Sequence, residues 1–207
     1  MTGLFAELRG SAVFHDAEAL EVAALFERSL QQVLGTIEGL TKVVQLERQA
    51  LPIPTTAVEL APMLDEVVRS LQAPTSGLEQ AFRLDVHAAP TVHMASSSLR
   101  SIVYNLLSNA VRYADPTRPL LVHVTSALAN GAPVLTIADN GRGIDLARHS
   151  QELFQFFRRF HPEVPGTGLG LYLVKRLVHQ AGCRIEVESA VSHGTKFHIF
   201  RPSQSIH

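Results

Sequence analysis

The 207-residue chain contains one cysteine, Cys183, so no disulfide can form within it. A lone thiol suits a reducing compartment, and its ordinary use is as a small apolar side chain. Neither sign of charge is in excess: 18 Lys and Arg stand against 19 Asp and Glu, for a net charge of -1. That balance leaves no electrostatic footprint for nucleic acid, so no nucleic-acid partner is expected. No apolar run approaches the roughly 20 residues that cross a bilayer. No basic segment followed by an apolar one opens the chain, as a signal peptide would require. The expectation is a cytoplasmic protein with no membrane segment in this chain. The histidines at 87, 93, 123, 161, 179, 193 and 198 have no metal-ligand spacing. Hydrophobic residues make up 46%, enough for a real core and against disorder.

What is present divides the chain in two. Ala23, Phe26, Leu30, Val33, Ile37, Leu40 and Val44 recur at alternating spacings of 3 and 4, an unbroken heptad seam. A stripe so narrow packs on other helices rather than on a sheet. "GLFAELR" reads as the end of a preceding helix, and Asp16 is a plausible cap for the next. Residues 1–50 are therefore expected to form a helical hairpin with a short first arm. "LPIPTT" breaks the helix with two prolines, and 51–57 reads as a linker. Residues 58–202 then give an amphipathic helix, an alternating strand "FRLDVHA", and a Ser-capped helix "SSSLRSIVYNLLSNAVRYA". After them come a hairpin around "ANGA", a helix closed by Gly182, and two last strands. The fold class expected for this half is α+β, with helices packed on one face of a mixed sheet.

Four stretches of this half carry chemistry. Asn105 and Asn109 lie four apart on one helix face, with Arg112 and Tyr113 on or near it. An amide oxygen is a neutral, hard ligand suited to Mg²⁺, although two such amides also serve as caps or as a buried network. In "ADNGRGID" a strand ends at Asp139, with Gly141 and Gly143 after it. A carboxylate there could accept from an exocyclic amine, and an Asx turn would use the same residues. Gly166-Thr167-Gly168-Leu169-Gly170 opens a helix whose first N–H groups lack internal partners and can meet a phosphate. It is neither a P-loop nor a dinucleotide fingerprint: Lys175 lies five residues beyond the last glycine, and no strand leads in. "LFQFFRRFHPEVPG" packs four phenylalanines around Arg158 and Arg159, and reads either as a lid carrying an arginine to a terminal phosphate or as a core helix with solvated arginines.

In this order the four stretches resemble the ATP-binding domain shared by sensor histidine kinases, type II DNA topoisomerases, the large dimeric chaperone ATPases and mismatch-repair ATPases. "NLLSNAVRYA" resembles the N box, "DNGRGID" the G1 box, "LFQFFRRFH" the F box and "GTGLGLYLVKR" the G2 box. "GTKFHIF" resembles the closing glycine-threonine element, and the F box points to the histidine-kinase branch. The resemblance implies the GHKL (Bergerat) ATP-binding fold with ATP and Mg²⁺ as cofactors. It also implies that Asn109 binds the metal beside Asn105, Asp139 binds the adenine amine, and Gly141 and Gly143 shape the base pocket. Arg112 and Tyr113 would flank phosphates and base, residues 166–170 would wrap the phosphates, and Thr195 would close the adenine end. Arg159 is chosen over Arg158 for the terminal phosphate.

The resemblance implies a homodimer through a four-helix bundle and a response-regulator receiver domain as partner. Members that hydrolyse ATP carry Glu where Asn105 stands, so slow hydrolysis and phosphotransfer to histidine are expected. The chain departs from the family in lacking the His-Asp/Glu-Leu-Arg-x-Pro phosphoacceptor motif. It may be read as starting after that histidine, as carrying Ala6 in its place, or as using His15. A degenerate kinase acting as an ATP-responsive dimerisation module is the alternative; the long heptad argues against an anti-sigma-type serine kinase.

Overall fold

A computed structural model describes residues 17–48, 55–72, 81–129, 131–161 and 163–200. The first arm of the expected hairpin, His15, and Asp16, the expected cap of the second helix, lie outside these residues. Helix α1 (Ala17–Arg48) follows the heptad for its whole length. Strand β1 (Thr56–Glu59) comes next, then α2 (Leu60–Gln72), β2 (Phe82–Asp85), β3 (Thr91–Met94) and α3 (Ser96–Arg112). The hairpin β4 (Val122–Ala129) and β5 (Ala132–Asp139) leads to the one-turn helix α4 (Leu146–His149). Helix α5 (Gly170–Gln180) and the hairpin β6 (Arg184–Ala190) and β7 (Gly194–Phe200) finish the fold.

The main sheet runs β2-β4-β5-β7-β6, with β2 parallel to β4 and every other pair antiparallel. It is the mixed sheet that the alternating runs predict. One face is apolar because side chains alternate along each strand: Val122 and Val124, Leu135 and Ile137, Phe197 and Ile199 are all buried. Three amphipathic helices cover it. Leu60, Leu64 and Val67 of α2, Leu99, Ile102, Leu106 and Leu107 of α3, and Val174 and Val178 of α5 join one core. Their 3–4 spacing turns a single stripe of each helix onto the sheet.

Two local expectations shift. The stretch expected to open α2 is strand instead: β1 pairs antiparallel with β3, and the helix starts at Leu60. Pro62 sits in the first turn, where its missing N–H has no partner to lose. Helix α3 is capped by Ala95 with no side-chain bond, so its serines are first-turn residues rather than caps.

Helix α1 buries Ala23 of its heptad but leaves most of the seam at the surface. Phe26, Val33, Ile37, Leu40 and Val44 are between 37% and 55% exposed. A different line touches the second domain. Gly35 faces Thr167, a methyl group added at Gly39 would stand 2.6 Å from Leu169 Cδ1, and Val43 joins the core.

The tightest backbone approach lies between the end of β5 and the β6–β7 turn. Gly194, at φ +86°, has Asp139 carbonyl oxygen where a Cβ would go, and Gly143, at φ +68°, has Ala190 carbonyl oxygen there. Gly194→Ala is expected to combine left-handed strain with a backbone clash and to cost about 2 kcal/mol or more. Urea unfolding of the two proteins measures it.

Candidate functional site

The carboxyl end of β5, the amino end of β7, the N-terminus of α5 and one face of α3 surround a cavity of about 710 Å³. The apolar stripe of α3 faces the sheet, which turns Asn105, Asn109 and Arg112 the other way, into this cavity. Asn105 donates Nδ2–H to Ser101 O at 2.7 Å, which leaves its oxygen for the cavity. That oxygen would be 3.0 Å from a Cβ at Gly170, so the amide and the opening of α5 close on each other. Leu169 caps α5 without a side-chain bond, leaving the first N–H groups of the helix for a ligand. Gly166, Thr167, Gly168 and Gly170 line the cavity. Gly166 is close enough that a Cβ there would stand 3.1 Å from Arg112 Nη1.

The opposite end is built on Asp139. Its Oδ1 accepts from Gly141 N–H at 2.8 Å and from Thr195 N–H at 3.3 Å. Burial pushes its carboxyl pKa above the ordinary value, against the opposing effect of those two backbone donors. Asp139, Gly143, Tyr113 and Thr195 line this end. Of the residues singled out in the sequence, Gly141 and Leu169 do not line the cavity. Gly141 supports Asp139 from behind, and Leu169 is buried against Gly39 of α1.

Residues 150–161 and 163–168 form no regular helix beyond short turns, which excludes the core-helix reading of the phenylalanine-rich stretch. Arg158 and Arg159 both line the cavity. Arg158 also pairs with Glu152, and Arg159 donates Nη2–H to Val164 O at 2.7 Å. Phe156 packs edge-on against Tyr172 of α5 with ring centres 4.2 Å apart. The segment is also tied across the cavity mouth. His161 Nε2 lies 2.9 Å from Gly143 O, and Arg142 pairs with Glu163.

Sequence reading missed the groups that brace this site. Arg118 donates to Asn140 O, Gly141 O and Ser192 O, joining the loop after β5 to the β6–β7 turn. Ser189 Oγ contacts Ile144 N, Gly194 O and Thr195 Oγ1. None sits in a local motif; their partners lie up to 74 residues away along the chain.

A family model described as "Histidine kinase-, DNA gyrase B-, and HSP90-like ATPase" matches residues 94–205, more than half of the chain. The chain belongs to this ATPase family. The sensor histidine kinase AruS of Pseudomonas aeruginosa is 33% identical over 201 residues, covering 87% of this chain and 20% of AruS. Cyanobacterial phytochrome A of Nostoc sp. is 28% identical over 189 residues, covering 90% of this chain and 24% of the phytochrome. The chain thus spans a quarter or less of either relative. The mycobacterial sensor histidine kinase MprB superposes with a TM-score of 0.59 at 28% identity, over 72% of this chain and 97% of that structure. Full-length ShkA in complex with AMPPNP superposes with a TM-score of 0.70 over 97% of this chain and 42% of ShkA; at 22% identity it bears on fold alone. The GHKL-type ATP-binding fold expected from the sequence is therefore shown, and with it ATP use. Among the described residues no helix is long and apolar enough to cross a membrane.

The raised pKa of Asp139 has a definite sign. The folded state holds that proton more tightly than the unfolded chain does, so above both pKa values the ionised carboxylate lowers stability. Asp139→Asn is expected to raise the Tm of the nucleotide-free protein and to remove the ATP-induced Tm shift. In the unsubstituted protein, ATP affinity should fall as pH drops through the raised pKa, at a higher pH than an ordinary carboxylate would set. Calorimetric titration across pH checks this.

Proposed function

We propose that this chain is the ATP-binding catalytic part of a two-component sensor histidine kinase. It transfers the γ-phosphoryl of ATP to a histidine, from which a response-regulator receiver domain takes it. The observation that carries the reading is the single cavity shared by Asn105, Asn109, Asp139, Gly168, Gly170 and Thr195. The sensor kinases among its relatives support the same branch.

The residues divide the work by chemistry. Asp139 accepts from the 6-amino group of adenine, with Thr195 beside it and Gly141 and Gly143 shaping the pocket. Tyr113 and Arg112 flank base and phosphates. Residues 166–170 and the uncapped start of α5 offer backbone N–H groups to the phosphate oxygens. Arg159 neutralises charge on the terminal phosphate.

Mg²⁺ fits the donor set. Among the described residues no cluster of three or more His, Cys, Asp or Glu could hold an ion alone. Asn109, beside Asn105, supplies the amide donor suited to an ion whose other ligands are phosphate oxygens and water. The ion would offset charge on the transferring phosphoryl group. Asn105 has no basic oxygen to take a proton from water, so the γ-phosphoryl is kept for a better nucleophile.

We propose further that the chain is a homodimer through the exposed seam of α1. Val33, Ile37, Leu40 and Val44, exposed on a helix surface at spacings of 4, 3 and 4, have the pattern of a coiled-coil interface. An ATP-responsive dimerisation module without transfer activity would keep the same cavity and seam. Its distinguishing feature would be nucleotide binding with no phosphate transfer.

Four measurements test these statements. Calorimetry should give micromolar-range affinity for Mg-ATP, lost on Asn109→Ala; no binding to the unsubstituted chain would end the kinase reading. Hydrolysis by the full chain should stay far below the median enzyme turnover of about 10 s⁻¹, and γ-labelled ATP should leave an acid-labile phosphate only where an acceptor histidine is present. Labelling of this chain that vanishes on His15→Gln would make His15 that acceptor. Light scattering should find two copies per particle, and one after Val33→Glu with Ile37→Glu.

A further inference from the structure

We infer that Ser189 is a specificity-determining positioning residue, which holds the Thr195 hydroxyl as a pure acceptor and so biases the base pocket toward 6-amino purines over 6-oxo purines. This rests on the ATP reading above and deepens it.

The argument is a count of hydrogens. Ser189 and Thr195 face each other across the β6–β7 ladder, with Oγ and Oγ1 2.9 Å apart. Ser189 Oγ also lies 2.8 Å from Gly194 O and accepts from Ile144 N–H at 2.8 Å. A carbonyl only accepts, so the single Ser189 hydrogen goes to Gly194 O. The Thr195 hydroxyl must then donate to Ser189, whose oxygen is fully used: one hydrogen given, two received. Thr195 lines the cavity beside Asp139 but has no hydrogen left for a ligand there.

Asp139 Oδ1 already takes two backbone N–H groups, so its remaining capacity is also that of an acceptor. The Asp139 carboxylate and the Thr195 hydroxyl therefore offer acceptors only. An exocyclic amine brings two hydrogens to such a site, whereas a 6-oxo group brings lone pairs against lone pairs. Ser189 itself does not line the cavity; it acts through Thr195.

Removing the Ser189 hydroxyl frees the Thr195 hydrogen. It can turn into the pocket and donate to a 6-oxo group, or turn to Asp139 and compete with the amine. Both movements lower the preference for ATP over inosine triphosphate, which differs from ATP at the 6-position and N1 alone.

The experiment measures Kd of the full chain for ATP and for inosine triphosphate with Mg²⁺, in the unsubstituted protein and in Ser189→Ala, Ser189→Cys and Ser189→Thr. In Ser189→Ala the ratio of the two Kd values is expected to fall by roughly 3- to 10-fold, the worth of one hydrogen bond. Ser189→Thr, which keeps a hydroxyl on a strand that accepts β-branching, should restore it. Ser189→Cys, with a weak sulfur acceptor, should fall between, and it carries the test if the alanine variant does not fold. An unchanged ratio, or equal weakening of both nucleotides, overturns the inference and leaves the ATP reading intact. An unsubstituted protein that binds neither nucleotide overturns the ATP reading itself.

Discussion

The end of β5 meets the β6–β7 turn backbone against backbone, with the Gly194 and Gly143 positions filled from the other side by carbonyl oxygens. Everything at the base end of the cavity follows from that approach. It brings Thr195 N–H within reach of Asp139, sets Ser189 beside Thr195, and lets Arg118 span both loops through three carbonyls. A carboxylate half-removed from water is unfavourable, and here two backbone N–H groups offset only part of the cost. The fold keeps this group at some expense to its own stability. That is the usual sign of a side chain retained for a ligand rather than for packing.

The α5 end of the cavity is organised on a different rule. The side chains that α3 and the 158–170 segment turn to it are amides, arginines and hydroxyls, and the one carboxylate on this side is Glu27 of α1. Such a surface suits charge that is already present on a ligand and needs holding. Asn105 gives one amide hydrogen to Ser101 O, and its oxygen is a neutral amide oxygen. Between the two ends, Arg112 and Tyr113 close the last turn of α3 against the glycine-rich segment, so one helix serves both.

Much of this was legible in the sequence because the chemistry is local there. Asn105 and Asn109 are one helical turn apart, Asp139 terminates a strand, and five residues from Gly166 open a helix. The α+β class followed from periodicities of 2 and 3.6 that do not depend on distant contacts. What stayed hidden is non-local. The short pairing of β1 with β3 has no pattern of its own, and in isolation Thr56–Glu59 resembles the first turn of α2. Ser96 to Ser98 look like caps, yet the chain enters α3 at Ala95. Arg118 and Ser189 draw their meaning wholly from partners brought together by the sheet.

Helix α1 lies against the cavity on one side and carries the exposed seam on another. Its seam faces water, while Gly35, Gly39 and Val43, spaced four apart, lie toward Thr167, Leu169 and the core. Glycine is a poor helix former, costing roughly 1 kcal/mol against alanine. Two of them on the contact line therefore need a packing reason, and the approach of Leu169 supplies one for Gly39. Leu169 also caps α5, the helix whose first N–H groups face the phosphate site. A displacement of α1 thus acts on the residue that starts that helix, with no side chain at position 39 to cushion it. Because the seam on another face of the same helix is the one a second copy would cover, association along the seam and order in residues 166–170 would share one element.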